Sequence, residues 1–92
     1  MVAMYREIMW NEESEDHIAR HEVAPREVEE VVNSRPIYTV AGRDDTTLVY
    51  GSSAAGRRLL VVLSESSDGR WFVVTARNMT DAEARAHRRK GR

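Results

Sequence analysis

The stretch "RLLVVLSESSDGRWFVVTA", residues 58–76, predicts two neighbouring β-strands. Branched and aromatic residues dominate "RLLVVLS" (58–64) and "WFVVTA" (71–76), as is typical of strands. The connection between them is far shorter than a parallel crossover, so we expect the two strands to run antiparallel. Because the first strand is apolar on both faces, we expect helices on one face and another cover, such as a partner protein, on the other.

Three more strands are predicted upstream of this pair. "IYTV" (37–40) and "TLVY" (47–50) are joined by short polar loops and extend the antiparallel sheet, while "YREIMW" (5–10) favours a short first strand.

Local capping signals predict three helices. Asn11 can cap a helix over residues 12–21, and Pro25 suits the first position of a second helix that ends near Asn33. "TDAE" is a capping box that predicts a third helix from Asp81 to about Arg89. The order of strand, two helices, four strands and helix predicts one α+β domain over residues 1–92.

Composition excludes several classes of protein. The chain has no cysteine, so disulfide frameworks and thiolate metal sites are excluded. It has no apolar run long enough to span a membrane, and Arg6 and Glu7 come too early for a secretory signal. We therefore expect a cytoplasmic protein that has no membrane partner.

Charge is distributed unevenly along a chain whose net charge is -1. Residues 1–30 carry nine acidic and three basic side chains, whereas residues 31–92 carry six acidic and eleven basic ones. This asymmetry favours an electropositive surface for phosphate or an acidic partner, or else two parts that neutralise each other across the fold.

Arg77 is the first candidate for anion binding. Strict alternation along the last strand places it on one face with Trp71, Val73 and Thr75, at the rim of the sheet. There it can bind an anion through two hydrogen bonds. The alternative is an ion pair with an acid of the first two helices.

The three histidines offer proton transfer or metal binding. His87 lies among arginines on the last helix, where a neutral imidazole can act as a base. His17 and His21 have the one-turn spacing of a two-histidine metal site, but a surface histidine pair is the simpler interpretation. We therefore expect neither a metal nor another cofactor.

Other arginines could hold phosphates along a nucleic acid, although a solvated tail is the ordinary explanation for a basic chain end. These candidates are Arg57, Arg58, Arg88 and Arg89.

A collinear series of motifs resembles the BrnT-type toxins of bacterial toxin–antitoxin pairs. The motifs are "HIARHEVAPREVEEVV" (17–32), "AGRRLLVVL" (55–63) and "VVTARNMTDAEARAHRR" (73–89), preceded by Met9, Trp10, Asn11 and Glu12 and by "YG" (50–51). The resemblance implies a RelE-like fold of antiparallel strands with helices packed on them. It also implies a ribonuclease that halts translation and is neutralised by a BrnA-like, DNA-binding antitoxin in a hetero-oligomer.

The resemblance assigns Arg77, Arg57 and Glu83 to family positions. In the resulting hypothesis Arg77 neutralises the phosphorane during metal-independent RNA cleavage, and Arg57 positions the adjacent phosphate. His87 is the base or acid, with His17 in the complementary role.

The rival hypothesis is an inactive module that binds a partner protein or an operator complex. Asn11, His17, Glu22, Thr46 and His87 stand where the family commonly has aspartate, asparagine, glycine, arginine and tyrosine, in that order. A direct DNA-binding domain is weaker, because only the short last helix has a basic face.

Overall fold

The computed structural model describes residues 8–92 and has the predicted order of elements. The strands and helices are β1 (Ile8–Met9), α1 (Glu12–Ala19), α2 (Pro25–Val32), β2 (Tyr38–Ala41), β3 (Thr46–Ser52), β4 (Arg58–Glu65), β5 (Trp71–Asn78) and α3 (Asp81–Lys90). The α+β class is thus confirmed. Residues 5–7 of the predicted first strand lie outside the described residues, and α1 ends two residues before its predicted end.

Each helix begins where the sequence predicts. The Asn11 side chain accepts a hydrogen bond from the Ser14 amide, and Pro25 opens α2. The Thr80 hydroxyl accepts from the Glu83 amide while the Glu83 carboxylate accepts from the Thr80 amide, which completes the predicted capping box. No helix in residues 8–92 is both long and apolar enough to cross a lipid bilayer.

The five strands form one mixed sheet in the order β1-β5-β4-β3-β2. Strands β2 to β5 form an antiparallel meander, as their short connections predict. Strand β1 instead pairs parallel with β5. The two helices connect β1, at one edge of the sheet, to β2 at the opposite edge, and the meander then brings β5 next to β1. The four antiparallel strands that were expected are therefore present, and the parallel β1–β5 pair makes the sheet mixed.

The core lies between one face of the sheet and the first two helices. Val49 and Val61 are paired at the centre of this face, and neither is exposed to solvent. Ile18 of α1 and Val28 and Val31 of α2 pack against them and are equally buried. Burial of these side chains is the main force that holds both helices on the sheet. We call this the core face.

A β-bulge in β5 changes which side chains reach the core face. Val62 pairs with Thr75 and Leu63 pairs with Val73, so Val74 is an extra residue, and it is 41% exposed. The extra residue shifts the alternation by one position. Val73 and Ala76 are consequently both buried on the core face, and Arg77 points to the opposite face. The predicted shared face for Arg77, Trp71 and Val73 is therefore wrong.

Helix α3 covers part of the second face. Tyr50, Leu60 and Arg77 are paired across β3, β4 and β5 on this side, and Glu83 of α3 contacts Arg77. The cover that the sequence leaves unidentified is thus supplied in part by the chain itself. We call this the α3 face.

Gly51 marks a close approach between β3 and the end of α2. A Cβ atom there would lie 2.5 Å from the Ser34 hydroxyl and 3.0 Å from the Val31 carbonyl oxygen. Any side chain would therefore push α2 off the sheet.

We predict that Ile18→Ala lowers the free energy of unfolding by about 2–5 kcal/mol, because it leaves a cavity under α1. Urea denaturation measures the change. Val74→Ala is the control and should cost less than about 1 kcal/mol, since Val74 is largely exposed. Equal costs for the two substitutions would contradict the assignment of Ile18 to the core.

Candidate anion-binding site

Arg77 and Glu83 form a bidentate ion pair on the α3 face. Arg77 Nη1 donates to Glu83 Oε1 at 2.8 Å, and Nη2 donates to Oε2 at 3.0 Å. Nη1 also donates to the Asn78 carbonyl at 3.0 Å. The alternative prediction, an ion pair with an acid of the first two helices, is wrong, because the partner acid belongs to α3.

This pairing leaves one edge of the Arg77 guanidinium open. Nη1 uses both of its hydrogens and Nη2 uses one, while Nε makes no hydrogen bond within residues 8–92. Nε and the second Nη2 hydrogen form a planar two-donor fork that matches a phosphate or carboxylate. The side chain as a whole is 38% exposed to solvent.

Electrostatics keep the pair ionised. The hydrogen bonds from Arg77 lower the pKa of Glu83, and burial opposes this effect. The hydrogen bond to Glu83 raises the pKa of Arg77. Burial raises the pKa of the nearby Tyr50 phenol, and the Glu83 carboxylate raises it further. At neutral pH the site therefore contains an arginine cation, a carboxylate and a neutral tyrosine.

Arg57, predicted to bind phosphate, is occupied by hydrogen bonds inside the fold. Its Nη1 donates to the Glu22 carbonyl and to Glu27 Oε1, its Nη2 donates to the His21 carbonyl, and its Nε donates to Asn78. Four of its five donors are thus used: two bind the segment between α1 and α2, one binds Glu27 of α2, and one binds Asn78 of β5. The geometry indicates a structural role for Arg57, and it offers no two-donor edge to a phosphate.

Arg58, the next residue, is placed differently. It is exposed and precedes Leu59, whose side chain is fully buried in the core. Alternation therefore directs Arg58 to the α3 face, where Leu60 is paired with Arg77. Residues diagonally opposite each other on neighbouring strands lie roughly 7–8 Å apart, so Arg58 and Arg77 are neighbours on this face.

Helix α3 presents a basic outer surface. Arg85, Arg88 and Arg89 are exposed and, with Ala82, line an open cleft of about 400 Å³. Lys90 lies on the inner side, with its Nζ 5.7 Å from the centre of the Tyr38 ring. The bases are thus arranged around the helix, and the two that were predicted, Arg88 and Arg89, are accessible to a ligand.

His87, which the sequence hypothesis makes the base or acid beside Arg77, is buried and does not open onto a groove shared with Arg77. Its side chain faces the Pro36 segment, where Nε2 lies 2.9 Å from the Pro36 carbonyl oxygen. The residue is 4% exposed, and Nδ1 is buried with no hydrogen-bond partner among residues 8–92. In this arrangement neither ring nitrogen is presented to a substrate.

His17 lies on the other side of the sheet from Arg77. It belongs to α1, which packs on the core face, and it lines an acidic cleft with Glu12, Glu13 and Asp16. No group of residues in the described part of the chain has the arrangement of a metal site. His17 and His87 are therefore not brought together with Arg77 as a catalytic set.

Sequence reasoning missed two residues beside the site, Tyr50 and Tyr38, and the ion pair that a third residue, Glu83, forms with Arg77. Glu83 was recognised as a helix cap, but its spacing from Arg77 across the turn before α3 also signals an ion pair. Tyr50 and Tyr38 are stacked at 5.6 Å between ring centres, and they were recognised only as strand residues. Their common face follows from the β2–β3 register, which two isolated strand patterns do not reveal.

We predict that Arg57→Ala lowers the free energy of unfolding by about 2 kcal/mol, because it leaves acceptors without donors at the end of α1. Arg58→Ala removes the same charge one residue later and should change it by less than about 0.5 kcal/mol. Thermal and urea denaturation of both variants provide the measurement. If Arg58→Ala cost as much as Arg57→Ala, lost charge rather than lost hydrogen bonds would be the cause.

We predict that the ion pair between Glu83 and Arg77 makes the free energy of unfolding depend on pH in the acidic range. Because the folded-state pKa of Glu83 lies below its ordinary value of 4.5, the contribution is complete above about that pH and is lost as pH falls through the folded pKa. Glu83→Gln keeps the size of the side chain but removes its charge and one acceptor oxygen, and it should cost about 1 kcal/mol at pH 7, a modest value because water screens the pair.

Urea denaturation between pH 7 and pH 3 tests this prediction. The wild-type and Glu83→Gln stabilities should converge at the acidic end. A constant difference across the whole range would show that the carboxylate charge plays no part.

The comparisons with known proteins identify no relative. The chain matches no protein-family model, and neither a curated protein nor a solved structure is significantly similar to it. The arguments for function therefore rest on the residues and their geometry.

Proposed function

We propose that this chain is a toxin of a bacterial toxin–antitoxin pair that acts on RNA at Arg77. The observation that carries the proposal is the open Nε and Nη2 edge of Arg77, which is held at the rim of the α3 face by Glu83. A fixed guanidinium fork of this kind suits a phosphodiester. Arg58 and the basic surface of α3 would hold the neighbouring phosphates.

The chemistry depends on the charge of Arg77. Water accepts the proton of the ribose 2′-hydroxyl, whose oxygen attacks the phosphorus atom, and Arg77 stabilises the charge of the phosphorane. The departing 5′-oxygen takes a proton from water, since His87 is buried. The products are a 2′,3′-cyclic phosphate and a 5′-hydroxyl, and DNA is not a substrate because it lacks the attacking group.

The motif resemblance supplies the biological part of the proposal. In this proposal the protein has a RelE-like fold and acts in the cytoplasm, where its cleavage of RNA inhibits translation. A BrnA-like, DNA-binding antitoxin covers the toxin in a hetero-oligomer.

A second candidate function is an inactive module that binds RNA or a partner without cleavage. The burial of His87 favours it, because the described residues then offer no imidazole to the α3 face. Arg57 favours it too, since its donors are used inside the fold.

We predict that expression without a partner arrests bacterial growth. Arg77→Ala should relieve the arrest, because it removes the two N–H donors that bind the phosphate. Arg70→Ala is the matched control, since Arg70 is an exposed residue paired with Asp68 in the β4–β5 turn. Growth curves give the readout, and circular dichroism confirms that both variants fold. Equal toxicity of Arg77→Ala and wild type would remove Arg77 from the active site.

Purified protein and a labelled single-stranded RNA separate the two functions. Cleavage products with 2′,3′-cyclic phosphate ends, formed equally in EDTA, support the ribonuclease. Arg77-dependent binding without cleavage supports the module. Cleavage that EDTA abolishes would contradict the metal-independent mechanism.

A further inference from the structure

The outer edge of β2 has backbone groups that are free to pair with another strand. Strand β2 is the last in the sheet order, so β3 pairs with it on one side alone. The Gly42 amide donates to the Thr46 carbonyl, which directs the backbone of Gly42, Val40 and Tyr38 towards β3. The alternate residues, Thr39 and Ala41, therefore direct their N–H and C=O groups outward.

One backbone pair already forms beside this edge, immediately before β2. Ile37, the preceding outward residue, donates to the Arg92 carbonyl and accepts from the Arg92 amide, both at 2.8 Å. This reciprocal exchange is the hydrogen-bonded pair of an antiparallel ladder. The exchange is confined to this one pair, because residue 90, which would face Thr39 next, belongs to α3. The outward groups of Thr39 and Ala41 have no partner in the described part of the chain, and both residues are exposed.

The cleft beside this edge is basic at one end. Arg89, Lys90, Gly91 and Arg92 line it together with residues 37–39, and its volume is about 600 Å³. Asp44 and Asp45 follow β2 at the other end, in the turn to β3. An incoming strand is therefore favoured when its acidic side chains lie near Tyr38 and not near the turn.

We infer that an extended acidic segment of a partner protein adds to β2 as a sixth strand, with its backbone paired to Thr39 and Ala41. Backbone hydrogen bonds supply affinity in this mode of recognition, and the side chains supply selectivity. The inference does not depend on the RNA-directed activity proposed above.

Fluorescence anisotropy with synthetic peptides tests the inference on the full chain. The probe is a labelled eight-residue peptide in which glutamate alternates with valine. One control has the same side chains with alternate backbone amides N-methylated, and another has lysine in place of glutamate. We expect the first peptide to bind and both controls to bind at least about tenfold more weakly. Equal binding of the N-methylated peptide would overturn strand addition.

Two further peptides, with glutamates confined to the first or the second half, test the polarity of the cleft. One should bind more tightly than the other, and the tighter one reports whether the added strand is parallel or antiparallel to β2. Equal affinity would overturn the charge argument.

Variants of the protein locate the binding edge. Lys90→Glu combined with Arg92→Glu should weaken binding by about tenfold, whereas Arg85→Glu combined with Arg88→Glu, on the outer surface of α3, should leave it nearly unchanged. Thr39→Pro removes an outward donor while the donors directed at β3 stay in place, so it should also abolish binding. Undiminished binding by the Lys90 and Arg92 variant would overturn the assignment.

Amide hydrogen exchange completes the test. Bound peptide should slow exchange at Thr39 and Ala41, and unchanged exchange there would contradict the inference. A dimer in size-exclusion chromatography that protects the same two amides without peptide would assign the edge to a second copy of the chain instead.

Discussion

The extra residue in β5 is the constraint on which the arrangement of this domain depends. Val74 shifts the alternation of the strand, so that Val73 and Ala76 both reach the core face while Arg77 turns to the α3 face. Without the bulge, a strand with Val73 in the core would direct Arg77 at the first two helices. The bulge therefore lets one strand complete the core and also deliver a cation to the opposite side.

The two neighbouring arginine sites show how surroundings decide the role of a side chain. Arg57 donates to two backbone carbonyl groups and to the side chains of Glu27 and Asn78, and it thereby connects the helices to the sheet. Arg77 meets one carboxylate end-on and keeps its other edge open. An arginine side chain has five N–H donors. Arg57 uses four of them inside the fold, whereas Arg77 keeps two adjacent donors for a ligand, so two equal charges have different roles.

The sheet also separates the charges that the sequence concentrates in its two parts. The acids of α1 lie on the core-face side, and the bases of α3 lie on the other. Among the ion pairs of the described residues, Arg57 with Glu27 joins the two parts. The acidic and basic parts therefore do not neutralise each other broadly, and the surface around α3 and the β2 edge is electropositive.

The sequence by itself determined the order of the elements and the starts of the helices, because caps, turns and strand patterns are local. It also singled out Arg77. The tertiary structure decided the position of the bulge, the burial of His87 and the hydrogen bonds that use the donors of Arg57. The partners in each case lie far away in the chain. Pro36 is 51 residues from His87, and the acceptors of Arg57 are supplied by the segment between α1 and α2. Such contacts depend on which faces meet, and one inserted residue reverses a face without altering the strand pattern.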